Sequence, residues 1–362
     1  MSVLTEESNG LLEAEDEYAA LEALHNLGCT DGLPVVIPTP ERVHRMVLAT
    51  GLDGDLVLGE IGPSFGAATI EKIATAAVMA GALPDYAPII VAAVRALCRP
   101  EFDTAEVQAT THAVSPLLIV NGPVRSACEV SSGFGALGPG HRSNMTIGRS
   151  VRLVMLNIGG ARPGISDMAL LGHPGKLAMC LAEDEEQSPW EPLHVSLGHS
   201  PEDSVLTVVG TEGPHSVISV TDADDPNSVD RLIRSLAAAI GSLAANNAHF
   251  HRGTVVVVLN PDHAGVLGAA GLSRAEVQQR LWEASHHSRS TLRTYNPSFT
   301  GRGSDDDLLP SVRSPQDLLL LVAGGGGLYS TVFPSWGAGS HGNIVITELI
   351  DLGQACEIPL RN

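Results

Sequence analysis

The chain has 362 residues, enough for two domains of ordinary size, and its 44% hydrophobic and 17% charged residues are the composition of a core-forming fold, not of a disordered chain. A formal net charge of −20 opposes binding to nucleic acid and to anionic membrane surfaces. Aromatics are only 4%, so Leu, Val, Ile and Ala must fill the core, while 38 glycines and 23 prolines point to many turns and close backbone approaches.

Taken in chain order, the acidic N-terminal string MSVLTEESNG lacks an apolar h-region, so no secretory signal is expected. Leu and Ala at helical spacing predict a helix over Ala14 to Leu27, stopped by Gly28. LPVVIP (Leu33 to Pro38) reads as a short buried strand. Thr39-Pro40-Glu41 then offers an N-cap, a first-turn proline and a first-turn acid, predicting a helix from Pro40 to Thr50. Helices are expected over Ala67 to Ala80 and Ala87 to Leu97, and a strand in SPLLIVNGP from Ser115. After the glycine-rich SSGFGALGPGHRSNMTIGRS, a helix starting near Thr146 is expected to end at Gly159. The acidic stretch Ala182 to His194 holds Pro189 and Pro192 and reads as irregular.

The second half changes rhythm at a boundary placed near Ser200. SVLTVVG, GTVVVVLN and DLLLLVAGGGG read as strands, the latter two fully apolar and so buried on both faces. A long helix is expected over Val229 to Ala245, and Ser273 with Glu276 forms an S-x-x-E capping box for another. Strands alternating with helices predict an α/β fold of layered, largely parallel sheets with flanking helices, in two lobes, residues 1–200 and 201–362. No fixed-period repeat is visible.

No apolar run reaches the roughly 18 residues that a membrane helix needs. The cysteines Cys29, Cys98, Cys128, Cys180 and Cys356 form no CxxC pair, which argues against a zinc ribbon or a disulfide framework and for the reducing cytoplasm.

The strongest chemical constellation runs from Ser131 to Gly164. Its glycines let backbone approach a ligand. Arg142, Asn144 and Arg149 follow at a helix start, where free amides and the positive dipole end favour a carboxylate or phosphate. Arg162, Asp167 and Lys176 extend this polar lining, and a structural glycine-rich loop with arginines paired to the chain's own acids is the competing reading. The acidic cluster offers Glu183 and Glu186 as proton-moving groups. Cys180 and Trp190 flank it, residue types that are normally buried and would raise a neighbouring carboxylate's pKa; a solvated charge run is the alternative. His112 and His215 sit at loop positions beside strands and are further acid/base candidates, and Cys180 is a generic candidate nucleophile. The 14 histidines include no H-x-x-x-H or H-E-x-x-H; His249 and His251 are spaced for ligands on a strand. No nucleotide or flavin fingerprint is present, and a divalent metal held by the acidic cluster stays open.

Several strings occur together: DGLPVV from Asp31, EKIATAAVMAG from Glu71, QATTH from Gln108, PLLIVNGP, TIGR, NIGGARPG, SPWEPLH, VAGGGG and PSWG. In these the chain resembles, over nearly its whole length, a poorly characterised bacterial family whose members are fused to, or encoded beside, small redox modules carrying a UGSC or CGSC motif, U being selenocysteine. The resemblance implies a globular enzyme or enzyme subunit working with a thiol or selenol protein. It supplies no reaction and no catalytic residues. This chain has no CGSC motif, so such a module would be a separate protein.

Together these readings predict a cytoplasmic homo-oligomeric enzyme of bacterial specialised metabolism acting on a small anionic molecule, by elimination, addition or cleavage at a carbon–heteroatom bond. Arginines would clamp the anion, and Glu183, Glu186, His112 or His215 would move a proton. The alternatives are a partner subunit of the redox module, and a metal-dependent hydrolase.

Overall fold

The computed structural model describes residues 11–222 and 225–351; the first ten residues, including the string read for a signal, and Cys356 lie outside the described residues. The helices are α1 (Glu17–Asn26), α2 (Pro40–Thr50), α3 (Ile70–Ala80), α4 (Ala87–Cys98), α5 (Thr104–Ala109), α6 (Val124–Ala127), α7 (Arg142–Asn157), α8 (Leu193–Ser196), α9 (Ser228–Ile240), α10 (Asn246–Phe250), α11 (Pro261–Ala269), α12 (Arg274–Ala284) and α13 (Arg289–Tyr295). A hairpin, β1 (Val57–Ile61) with β2 (Gly66–Thr69), precedes α3. A second small pair is β8 (His287–Ser288) with β9 (Leu308–Leu309).

Two four-stranded sheets form the centre. The first runs β12 (Ile346–Leu349), β5 (Val205–Thr211), β3 (Ser115–Asn121), β4 (Cys180–Ala182); the second runs β10 (Leu318–Val322), β7 (Val255–Leu259), β11 (Tyr329–Phe333), β6 (His215–Ile218). Alternation along the strands assigns their faces. Leu118, Val120, Leu206 and Val208 face α2, α3, α4 and α7 in one core. Val255, Val257, Leu318 and Leu320 face α9, α11 and α12 in another. The residues between them, Leu117, Ile119, Leu181 and Val209 of one sheet and Val256, Val258, Leu319, Leu321 and Phe333 of the other, form a third core. The molecule is therefore a four-layer α/β/β/α sandwich in which both sheets are covered on both faces, which is why their strands read as continuous apolar runs.

The α/β class holds, but the sheets are mixed and not largely parallel. Only β3 with β4 and β7 with β10 pair in parallel; β5 with β3, β12 with β5, β11 with β7 and β6 with β11 are antiparallel. The reason lies in the connections. The glycine run between β10 and β11 is far shorter than the dozen or so residues that a parallel crossover needs, so the chain must reverse. The sheets also match each other strand for strand: β4-β3-β5 in one has the directions of β10-β7-β11 in the other. The fourth strand of each is exchanged. β6, which follows β5, joins the second sheet, and β12, which follows β11, joins the first. The boundary expected near Ser200 falls in the loop between α8 and β5, yet β5 and β12 complete the sheet begun by β3 and β4.

Other expectations shift locally. Leu33 to Pro38 is extended but makes no ladder, because Pro34 and Pro38 carry no N–H; Val36 N–H donates to Met79 O instead. The first residues of the expected Ala67 helix are strand β2, and Thr69, whose hydroxyl accepts from Lys72 N–H, starts α3. The expected Val229–Ala245 helix stops at Ile240, with Gly241 as its cap. The helix expected near Thr146 begins four residues earlier, at Arg142. α2 spans Pro40–Thr50 with Thr39 as N-cap, and the Ser273–Glu276 capping box is formed.

Candidate functional site

The glycine-rich segment folds as a buckle, not as an open ligand loop. Asn144, buried at the start of α7, holds it from both sides: its Oδ1 accepts from Ser131 N–H at 2.9 Å, and its Nδ2 donates to Ser131 O and Ala136 O, each at 2.9 Å. The arginines do not converge. Arg142 donates to Gly81 O at 3.0 and 3.3 Å, capping the carboxyl end of α3, where a cation complements the dipole. Arg149 grips Asp31 with two bonds of 2.7 and 2.8 Å and also donates to Pro34 O. Arg162 donates to Gly28 O. Arg149 and Arg162 thus tie the N-terminal segment down, while Arg142 holds the end of α3. Asp167 and Lys176 pair with each other at 2.8 Å, with Arg152 3.5 Å from the same carboxylate.

At the carboxyl ends of β3 and β4 lies a buried polar centre. Glu183 is fully buried, and its Oε2 accepts from Asn121 Nδ2 at 2.6 Å and Leu193 N–H at 2.7 Å. Its Oε1 has no hydrogen-bond partner and lies 3.9 Å from Arg274 Nη2. Burial pushes the carboxyl up to about 6, against the lowering effect of the Leu193 N–H, Arg274 and Asn121. His194 is also fully buried, with both ring nitrogens unbonded and Nδ1 3.9 Å from Glu185 Oε1. Arg125 closes the outer side, bonding Glu185 at 3.0 Å and Glu186 at 2.8 Å; that pairing holds the Glu186 carboxyl below the usual carboxylate range. Glu186 itself is exposed. Trp190 donates from its indole to Leu272 O at 2.8 Å and lies beneath the Arg274 guanidinium at 5.7 Å. Cys180 is buried, and desolvation pushes its thiol up to about 12, which favours the protonated form.

The concave site is at the opposite end, beside the amino end of β3. A groove of about 510 Å³ runs between edge strand β6 and α9, and Glu212 and His215 line it. Both chain halves position these groups. β5 ends at Thr211, so Glu212 emerges as the sheet stops, and Gly213-Pro214 carries the chain across to β6, where His215 pairs with Val332. His112, from the loop before β3, lies behind Glu212 with its Nε2 3.2 Å from Glu212 Oε1. Asn246 Nδ2 donates to Trp336 O at 3.0 Å and to His112 Nδ1 at 2.5 Å. A ring that accepts at Nδ1 carries its proton on Nε2, and that N–H donates to Glu212. The ring of His173 packs at Gly213, and burial holds its pKa below the usual histidine value.

Thus the structure places His215 in the lining of the groove, links His112 to it only through Glu212, and leaves Glu183 and Glu186 at the far end of the sandwich. Glu212, Asn246, Asn121, Arg125 and Arg274 were not singled out from sequence. For Glu212 a signal exists: a lone acid closes the buried run of β5, three residues before His215. His249 and His251 lie on α10 and at its cap rather than on a strand, bonded to Leu243 O at 2.8 Å and Pro310 O at 2.7 Å. Among the described residues no group of three His, Cys, Asp or Glu is placed to hold a metal ion, and no helix is long and apolar enough to cross a membrane. Compared with known proteins, the chain matches no family model and no curated protein.

Proposed function

We propose that the protein is an enzyme performing acid–base chemistry on a small polar molecule in the β6–α9 groove, with Glu212 as the proton-moving group. The observation that carries this reading is the Glu212–His112–Asn246 relay at the wall of a cavity. Asn246 fixes the tautomer of His112, and His112 fixes and stabilises the Glu212 carboxylate. Elimination or addition next to a carbonyl suits such a site. Glu212 takes the proton from carbon, the carbon–heteroatom bond breaks as the double bond forms, and His215, on the same wall, returns a proton to the departing heteroatom. The arginines that would have clamped an anion are engaged elsewhere, so the groove's own residues decide what charge it accepts.

Proton abstraction can be read without knowing the leaving group. Incubated in D₂O with a panel of small carbonyl compounds, the protein is expected to exchange one carbon-bound hydrogen faster than buffer does, as followed by NMR. Glu212→Gln should slow that exchange on the order of 10²–10⁴-fold with an unchanged melting temperature. Exchange at the buffer rate across the panel, or full exchange in the variant, would overturn the assignment.

A further inference from the structure

We infer that the groove selects a molecule carrying a protonated amine, with the Glu212 carboxylate as its counter-ion. This rests on the reading of Glu212 as the reactive group and deepens it. Among the described lining residues Glu212 is the one carboxylate, and none is Lys or Arg. Arg231 and Lys176, two cations near the groove, are already paired. Ser235, Ala238 and Ala239 present one face of α9 to the groove, and Ser242 follows just past its cap. Arg231, one turn earlier on that face, is held by Asp225 at 2.5 Å. Lys176, three residues from His173, is held by Asp167. His173 beside Gly213 is kept toward its neutral form by burial. An anion entering here would meet the Glu212 carboxylate with neither Lys nor Arg among the described lining residues to offset it, and it would approach a chain of net charge −20. An ammonium meets a carboxylate already oriented by His112 Nε2–H, with Ser235 and Ser242 hydroxyls as further acceptors. Ala238 and Ala239 give the wall small apolar side chains, which leave room for a short carbon chain. An amine seated on Glu212 also sets the adjacent C–H against the same carboxylate.

The test is calorimetric titration of the full chain with four probes of matched size: n-butylamine, 1,4-diaminobutane, butyrate and butyl phosphate. Both amines should bind saturably, and at least tenfold more weakly to Glu212→Gln, whose melting temperature should be unchanged. Butyrate and butyl phosphate should not bind. Binding of either anion with perturbation of the His215 ring signals, equal amine binding by Glu212→Gln, or no binding by any probe would each overturn the inference. The two readings fail separately. Amine binding without hydrogen exchange on any compound removes the catalysis and keeps the amine site. Exchange on compounds that carry no amine, with no amine bound, does the reverse.

Discussion

Glu183 shows why a buried acid need not be the reactive one. It was attractive in the sequence because Cys180 and Trp190 flank it, and burial does push its carboxyl up to about 6. The perturbation makes a statement about stability. A carboxyl whose pKa is raised on folding is bound more tightly to its proton in the native state. Its contribution is therefore fully present below the unfolded value, near 4.5, and is lost as pH rises through about 6. A shift of this size corresponds to about 2 kcal/mol. Glu183→Gln keeps an oxygen for the Asn121 and Leu193 donors but cannot ionise. The difference in unfolding free energy between the two proteins should move by about 2 kcal/mol in the variant's favour between pH 4.5 and 7.5, and stop moving above that. Denaturant unfolding at four pH values checks it; a constant difference would mean that burial leaves the Glu183 carboxyl with the same proton affinity as in the unfolded chain.

At the scale of elements, the sequence was most legible where local chemistry decides. Thr39-Pro40-Glu41 and Ser273-x-x-Glu276 carry their own caps, and α2 and α12 start where those residues say. It was least legible where partners are distant. Leu33–Pro38 has strand composition, but two prolines deny it a ladder, and nothing local reveals that Arg149, more than a hundred residues on, bonds its carbonyls. The same holds for Glu212, whose meaning depends on His112 from the loop before β3 and on Asn246 at the start of α10. The connection between β11 and β12 is a further example. His341 Nδ1 bonds Asp103 Oδ1 at 2.6 Å and its backbone N–H donates to Asp103 Oδ2 at 2.8 Å, stapling the crossover to the start of α5. Ser340 adds bonds to Glu106. The Asp103 hydrogen bond raises the His341 pKa, so this staple is complete below the ordinary histidine value and weakens as pH climbs through the raised one. Amide exchange in residues 337–343 is expected to accelerate beyond its intrinsic base dependence on the alkaline side, and His341→Gln should show the faster exchange at every pH. Exchange with only the intrinsic pH dependence in both proteins would show that Asp103 holds the loop through the backbone bond alone.

For the molecule as a whole, the exchanged strands decide whether the two halves are separable. The composition shift near Ser200 suggests two lobes, and each sheet does have its own parallel pair and its own helical layer. Residues 1–200, however, supply only β3 and β4 of the first sheet. Cut there, β3 loses β5 along all seven of its residues and exposes a row of unpaired N–H and C=O groups at a position buried in the whole protein. Leu117, Ile119 and Leu181 at the same time lose Val256, Val258, Leu319, Leu321 and Phe333 across the inter-sheet core. No helix of the first half can replace that face, because α3, α4 and α7 already cover the other one. The fragment 1–200 should therefore give a poorly dispersed amide spectrum, and the whole chain should unfold as one cooperative unit. The tryptophans make the second half of this testable. Trp336 belongs to the core of the first sheet, while Trp190 and Trp282 pack against that of the second. Single-tryptophan variants reporting on either core should unfold at the same denaturant concentration as the far-ultraviolet circular dichroism. Two separated midpoints, or a dispersed spectrum from the fragment, would mean that the lobes fold alone and that β6 and β12 are late additions to sheets already stable without them.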